Sequence, residues 1–183
     1  PYILQRSVND ETEKQYLTQI DYIHPFGEKG KFEAGLRSSF RNMTNNYTVT
    51  EEDANGNWFE LPGLTNNFLY EENINALYAI LGNKVKKISY QLGLRGELTH
   101  VTTTLKQTHE VNPRKYLNLF PSAHVTYDLP EGHAIQVSYS RRVRRPQYND
   151  LSPFMTYSDN RNYWSGNPDL DPEFTHSFEI GHI

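Results

Sequence analysis

The feature that most limits this chain is an alternation whose second half is charged. Between Lys31 and Arg41, Phe32, Ala34, Leu36 and Phe40 occupy one set of alternate positions. Lys31, Glu33, Arg37 and Arg41 occupy the set between them. A period of two puts these sets on opposite faces of a β-strand. Two arginines, a lysine and a glutamate on one face need water or charged partners, so that face is no ordinary core.

The same period recurs along the chain. From Gln15 to Phe26, Tyr16, Thr18, Ile20, Tyr22 and Phe26 oppose Gln15, Gln19 and Asp21, with Leu17 and Ile23 as exceptions. Ile88, Tyr90, Leu92, Leu94 and Leu98 oppose Lys87, Ser89, Gln91, Arg95, Glu97 and Thr99. Leu117, Leu119, Ala123, Val125, Tyr127 and Leu129 oppose Asn118, Ser122, His124, Thr126 and Asp128. Ile135, Val137, Tyr139 and Val143 oppose Gln136, Ser138, Ser140 and Arg142. Phe174, His176, Phe178 and Ile180 oppose Thr175, Ser177, Glu179 and Gly181. A further run from Tyr70 to Leu81 sets Tyr70, Ile74, Ala76, Tyr78 and Ile80 together, leaving Leu77 and Leu81 on the polar side. That run reads as a strand or as a helix. The expected fold is all-β: an antiparallel up-and-down meander of about seven strands, several long enough for the roughly 9–11 residues that a tilted membrane strand needs.

Connections sharpen the expectation. Short turns are expected at Gly27-Glu28-Lys29-Gly30, Gly82-Asn83-Lys84 and Pro130-Glu131-Gly132, and long polar loops over 45–67, 106–115 and 145–172. Short turns at one rim and long loops at the other are the pattern of an outer-membrane barrel, with short turns periplasmic. Tyr22, Phe32, Tyr78, Tyr90 and Tyr127 are expected in one aromatic row near the short turns. Tyr16, Phe40 and Tyr70 are expected in a second row near the loops, as the two bilayer interfaces favour.

Composition agrees. Only 36% of residues are hydrophobic, yet there are 13 Tyr and 9 Phe, and the mean hydropathy is -0.76. A sheet with one apolar and one wet face reconciles these facts. The net charge of -4 gives no basic field for nucleic acid. The absence of cysteine excludes disulfides, thiolate metal sites and a thiol nucleophile. No apolar run reaches the roughly 18 residues of a membrane helix, which leaves barrel strands untouched. Both ends fall inside loop or strand patterns. Residues 1–183 are therefore expected to be a fragment of a barrel domain, with a plug domain and further strands absent. In hydrocarbon an open edge would leave backbone groups unpaired, so the sheet must close with other wall or self-associate.

The tail carries a specific signal. It reads Leu119-Phe120-Pro121-Ser122, then Val137-Ser138-Tyr139-Ser140-Arg141-Arg142-Val143-Arg144-Arg145-Pro146, then Gly166-Asn167-Pro168-Asp169-Leu170-Asp171-Pro172-Glu173. From Leu117 to Ile183 this closely resembles the barrel of TonB-dependent receptors, where an Arg-x-x-Arg-Pro strand end, a long loop and Gly-Asn-Pro-x-Leu-x-Pro-Glu recur. The resemblance implies a 22-stranded barrel around a plug, in the outer membrane of a bacterial cell. It implies import of a scarce ligand, a siderophore, a glycan or similar, driven by the TonB energy-transducing system through the plug. Gly166 and Asn167 tolerate positive φ and Pro168 fixes φ, so the motif is expected to lead the chain into the next strand.

Other constellations are weaker. Arg141 and Arg145 are expected on one strand face and Arg142 and Arg144 on the other, the outward pair near lipid phosphate and the inward pair in the lumen. Solvated strand-end charge is the plainer reading. Trp58, Tyr157, Tyr163 and Trp164 lie in the long loops and are the candidate ligand-facing residues, although such aromatics more often pack a loop onto itself. The seven histidines show no helical metal spacing. Glu51-Glu52-Asp53 and Asp169, Asp171, Glu173 do not match a calcium loop. No phosphate loop or nucleophile elbow occurs. No catalysis, no cofactor and no metal site are expected. The expected partners are outer-membrane lipid and an unidentified extracellular ligand, with no nucleic acid. The competing expectation is a secreted soluble β-sandwich that binds carbohydrate through loop aromatics.

Overall fold

The computed structural model describes residues 3–153, 156–159 and 162–183. Seven long strands follow one another as antiparallel neighbours: β1 (Gln5–Phe26), β2 (Gly30–Glu52), β4 (Asn66–Val85), β5 (Ile88–Leu105), β6 (Glu110–Asp128), β7 (Ala134–Arg144) and β10 (Glu173–His182). A short β3 (Trp58–Glu60) adds to β2 and makes the sheet eight-stranded. Among the described residues the sheet is open, with β1 and β10 as its edges. It is a segment of barrel wall. In the loop after β7, a single helical turn α1 (Tyr148–Leu151) precedes a two-stranded hairpin, β8 (Thr156–Asp159) and β9 (Asn162–Trp164).

Register fixes the faces, because directly opposed residues share one. Tyr16 is opposite Phe40, Ile20 opposite Leu36, and Leu36 opposite Leu77. Ala79 is opposite Leu94, Leu98 opposite Leu117, Val125 opposite Val137, and Phe178 opposite Tyr139. This outer face is apolar over about eleven residues of each longer strand, the span that a tilted strand needs to cross hydrocarbon. Its side chains are bare: Ile180 is 80% exposed, Phe178 77% and Leu117 70%. Burying one such side chain is worth about 1.5–3 kcal/mol, so the face demands an apolar medium. No second sheet covers it among the described residues.

The register overturns part of the sequence reading of β4. It is a strand, not a helix, but Leu77, Ala79 and Leu81 lie on the apolar face, and Tyr70, Ile74, Ala76, Tyr78 and Ile80 lie on the inner one. Tyr70 and Tyr78 therefore leave the expected aromatic rows, while Tyr16, Tyr22, Phe32, Phe40, Tyr90 and Tyr127 stay on the outer face. Tyr78 instead lies across Gly35 and donates a hydrogen bond to Asp21 on β1. A Cβ on Gly35 would sit 2.6 Å from that phenol and that carboxylate, so the crossing needs glycine there.

The strands also run past the apolar band. The expected loop over 106–115 is a tight turn, Lys106–His109, between continuing strands. The expected loop over 45–67 is mostly strand as well, broken only at 53–57 and 61–65. The turn placed at Gly82-Asn83-Lys84 lies instead at Lys86–Lys87, with Lys86 at φ +55°. Above the band the outer face turns polar while the buried apolar residues, Met43, Tyr47, Val49 and Phe68 among them, lie on the inner face, so the apolar-out alternation that marks the strands below is lost although the ladder continues.

Candidate functional site

The inner face carries the chemistry. Near the long-loop rim it gathers a compact core: Met43, Phe68, Tyr70, Val101 and Leu105 close around Leu151 of α1. The loop over 145–172 thus turns inward over the concave side of the wall. α1 is capped at both faces of its first turn: the Gln147 side chain accepts from the backbone of Asp150, and the Gln147 N–H donates to the Asp150 carboxylate at 2.8 Å.

Side chains at three positions tie this loop to the wall, and two backbone bonds close it on itself. Arg145 donates to Glu97 on β5, a carboxylate that also accepts from Arg95 at 2.6 Å. Tyr148 donates to Glu11 on β1 at 2.6 Å. Burial, and then the Glu11 carboxylate, hold the Tyr148 phenol above its usual range. The Gly166 N–H donates to the Ser152 carbonyl at 2.7 Å, and that of Asn167 to the Asp150 carbonyl at 2.6 Å. Arg114 on β6 spans the Asp169 and Leu170 carbonyls and the Asp171 carboxylate.

These contacts correct two expectations. Arg145 does not share a direction with Arg141: it reaches the inner-face Glu97, whereas Arg141 stays on the outer face, 4.4 Å over the Phe174 ring, and donates to the Leu119 carbonyl at 3.0 Å. Gly166 and Asn167 have no positive φ. Glycine is needed at 166 because a Cβ would meet the Asp150 and Asn149 carbonyls at 2.5 and 2.6 Å. The motif clamps the loop to α1, and only Pro172, just before Glu173, stands at the start of the next strand.

The candidate ligand residues lie on two separate hairpins. Trp58 opens β3 opposite Glu52 and is 46% exposed; Trp164, opposite Thr156 on the β8–β9 hairpin, is 48% exposed. Tyr157 and Tyr163 are direct backbone partners on that hairpin; their side chains lie outside the described residues. The Asp169 and Asp171 carboxylates face Arg114. Among the described residues no cluster of three or more His, Asp or Glu is placed to hold a metal ion.

The loop at β3 offers a direct test. Asp53 accepts from the Asn57 and Asn55 N–H groups, each at 2.8 Å, and from the Asn57 amide at 3.2 Å. These bonds, Asn57 foremost, hold its carboxyl below the usual range. A depressed pKa means that the turn gains stability above the unfolded value of about 3.9 and loses it as pH falls through the lower folded value. The Asn57 amide resonance should titrate with a midpoint below about 3.9; a midpoint at or above it would remove the turn's ionic basis.

The comparisons with known proteins follow this geometry. A family model, the outer membrane protein beta-barrel family, matches residues 1–183. The chain belongs to that family. Its place is the bacterial outer membrane. The unliganded ferric citrate transporter FecA has a similar fold, with TM-score 0.59 at 11% identity; the match covers 98% of this chain and 26% of that one. The siderophore receptor PirA from Pseudomonas aeruginosa matches at TM-score 0.38 and 14% identity over 93% of this chain and 43% of that one, too slight a likeness to argue from. No curated protein matches the chain. This family barrel spans about a quarter of the length of FecA, and its bare outer face is what a barrel presents to lipid.

Proposed function

We propose that this chain forms wall and outer loops of a TonB-dependent receptor that imports a scarce ligand, a siderophore, a glycan or similar. In this reading TonB delivers energy through a plug in the lumen, the long-loop rim faces outward, and the wall performs no catalysis. The observation that carries it is the loop over 145–172, bound to the inner wall by Arg145 on Glu97, Tyr148 on Glu11 and Arg114 on the Asp169–Asp171 stretch. Such a loop narrows the mouth and offers Trp164 to a solute. Family membership and the fold shared with FecA support it, as does the tail from Leu117 to Ile183. A soluble carbohydrate-binding sandwich is not favoured, since among the described residues the apolar face has no partner sheet.

The test uses the missing cysteines. Single substitutions Asn57→Cys, Thr108→Cys, Lys29→Cys and Glu131→Cys would be made in the full-length protein. Intact cells would then meet a membrane-impermeant thiol reagent. Labelling at Asn57→Cys and Thr108→Cys alone is expected. A strain lacking the protein should also lose growth on one limiting chelate or glycan, and a strain lacking TonB should lose the same one. Equal labelling at all four positions would sink the orientation, and growth independent of TonB would sink the transport reading.

A further inference from the structure

Halfway down the wall, Arg37, Arg95, Arg141 and Arg142 line one recess, all but Arg141 from the inner face. Arg37 on β2, Arg95 on β5 and Arg142 on β7 line a cavity of about 430 Å³ with Gln19, Ser122 and Ser140. Register puts them there. Arg95 is opposite Tyr78 and Phe120. Ser122 is opposite Ser140, and Arg142 follows two residues on, on the same face. Arg37 is opposite Ala76, which is opposite Glu97, so Arg37 and Glu97 stand two strands apart, roughly 10 Å.

The nearby acids do not cancel this charge: Glu97 accepts from both Arg95 and Arg145, Asp21 is held beside the recess by the neutral donors Tyr78 and Gln19, and Glu33 pairs with Lys31, so Asp21 and Glu97 stand against four arginines, Arg37, Arg95, Arg142 and Arg145. Among the described residues, Arg37 and Arg142 have no carboxylate within salt-bridge reach. The recess therefore carries excess positive charge. Inside a barrel, water is confined by protein, and unpaired charge there is costlier than on an open surface. A guanidinium offers a planar fork of donors that matches carboxylate and phosphate oxygens. The serine hydroxyls and the Gln19 amide add neutral donors beside it.

We propose that this recess binds an oxyanion, a carboxylate or phosphate group, within the lumen. The inference rests on the inner face being the lumen of the barrel, and it needs no transport. The oxyanion belongs either to a dissolved solute or to an acidic side chain of the protein that fills the lumen.

The experiment is a calorimetric titration of the purified full-length protein in detergent at low salt, with succinate and with inorganic phosphate. A dissolved anion gives saturable heat. Binding should weaken roughly tenfold or more in Arg37→Gln and Arg142→Gln, since each removes a charge-assisted hydrogen bond. It should weaken less in the Arg→Lys variants and should fade as salt is added. A tethered carboxylate gives no heat in the wild type, and the Gln variants then melt at lower temperature than the Lys variants. Either result supports the site and names the source. The proposal is overturned if the Gln variants bind as the wild type does. It is equally overturned if the wild type gives no heat and all variants melt alike. The thiol-labelling pattern would survive both, so the two readings fail separately.

Discussion

Leu94→Arg should cost the folded protein about 2–4 kcal/mol in lipid, the range for an arginine near the midplane of a barrel's outer face. Leu94 is opposite Ala79 and Pro121 at the middle of the apolar band and is 53% exposed. In water, a substitution at so exposed a position would fall within about 0.5 kcal/mol of neutral. The medium therefore decides the outcome. Urea unfolding in lipid vesicles measures it, with Gln91→Arg, an exposed inner-face position opposite Gly82 and His124, as the control. A neutral Leu94→Arg would mean that this face does not meet hydrocarbon.

Leu151→Ala should release the inward loop. The side chain is 5% exposed and sits among Met43, Phe68, Tyr70, Val101 and Leu105. Truncating a leucine so enclosed costs about 2–5 kcal/mol, through lost transfer energy and the cavity left behind. The Tyr148–Glu11 clamp is exposed to solvent and is worth less, whereas Glu97 is buried and keeps its pairing with Arg145 in this variant. Limited proteolysis should then cut between Arg145 and Pro172 at protease concentrations that leave the wild type intact. Unchanged resistance would show that the polar clamps suffice and that the leucine does not anchor the loop.

How much of this was legible in the sequence depends on what each face touches. Where one face meets hydrocarbon and the other water, the alternation is sharp. β2, β5, β6, β7 and β10 were readable for that reason, with the correct residues outward. β4 failed because its inner face is rich in apolar residues too. Tyr70 belongs to the core under the loop, and Tyr78 spans Gly35, so the larger apolar set was the inner one. The stretch after Val101 failed for the opposite reason. Thr102, Thr103 and Thr104 are good strand formers, but the outer face is now polar and only Val101 and Leu105 on the inner face are apolar, too few to mark an alternation. The candidate site was visible as charged strand faces, Lys31, Glu33, Arg37 and Arg41 on β2 and Arg95 and Glu97 on β5, with Arg142 in one of the two opposed arginine pairs. Lys31 pairs with Glu33 on its own strand, but Arg41 pairs with Glu13 on the neighbouring strand and Arg37 with no carboxylate among the described residues, and spacing along one strand does not encode that. The Gly166 clamp was hidden because glycine is excused from carrying a side chain as often as it is chosen for its φ. The ligand-facing role of Trp58, Tyr157, Tyr163 and Trp164 stays a proposal.

The height of the wall has a consequence for arrival. β1 and β2 run about eleven residues beyond the apolar band, roughly 36 Å along the strand and about 25 Å along the membrane normal at a tilt of 45°. A closed barrel built this way is a chimney. A solute that enters its top has left the open medium before it reaches the bilayer surface. Its search is then along a line, past polar walls, and each failed encounter below is followed by another attempt before escape.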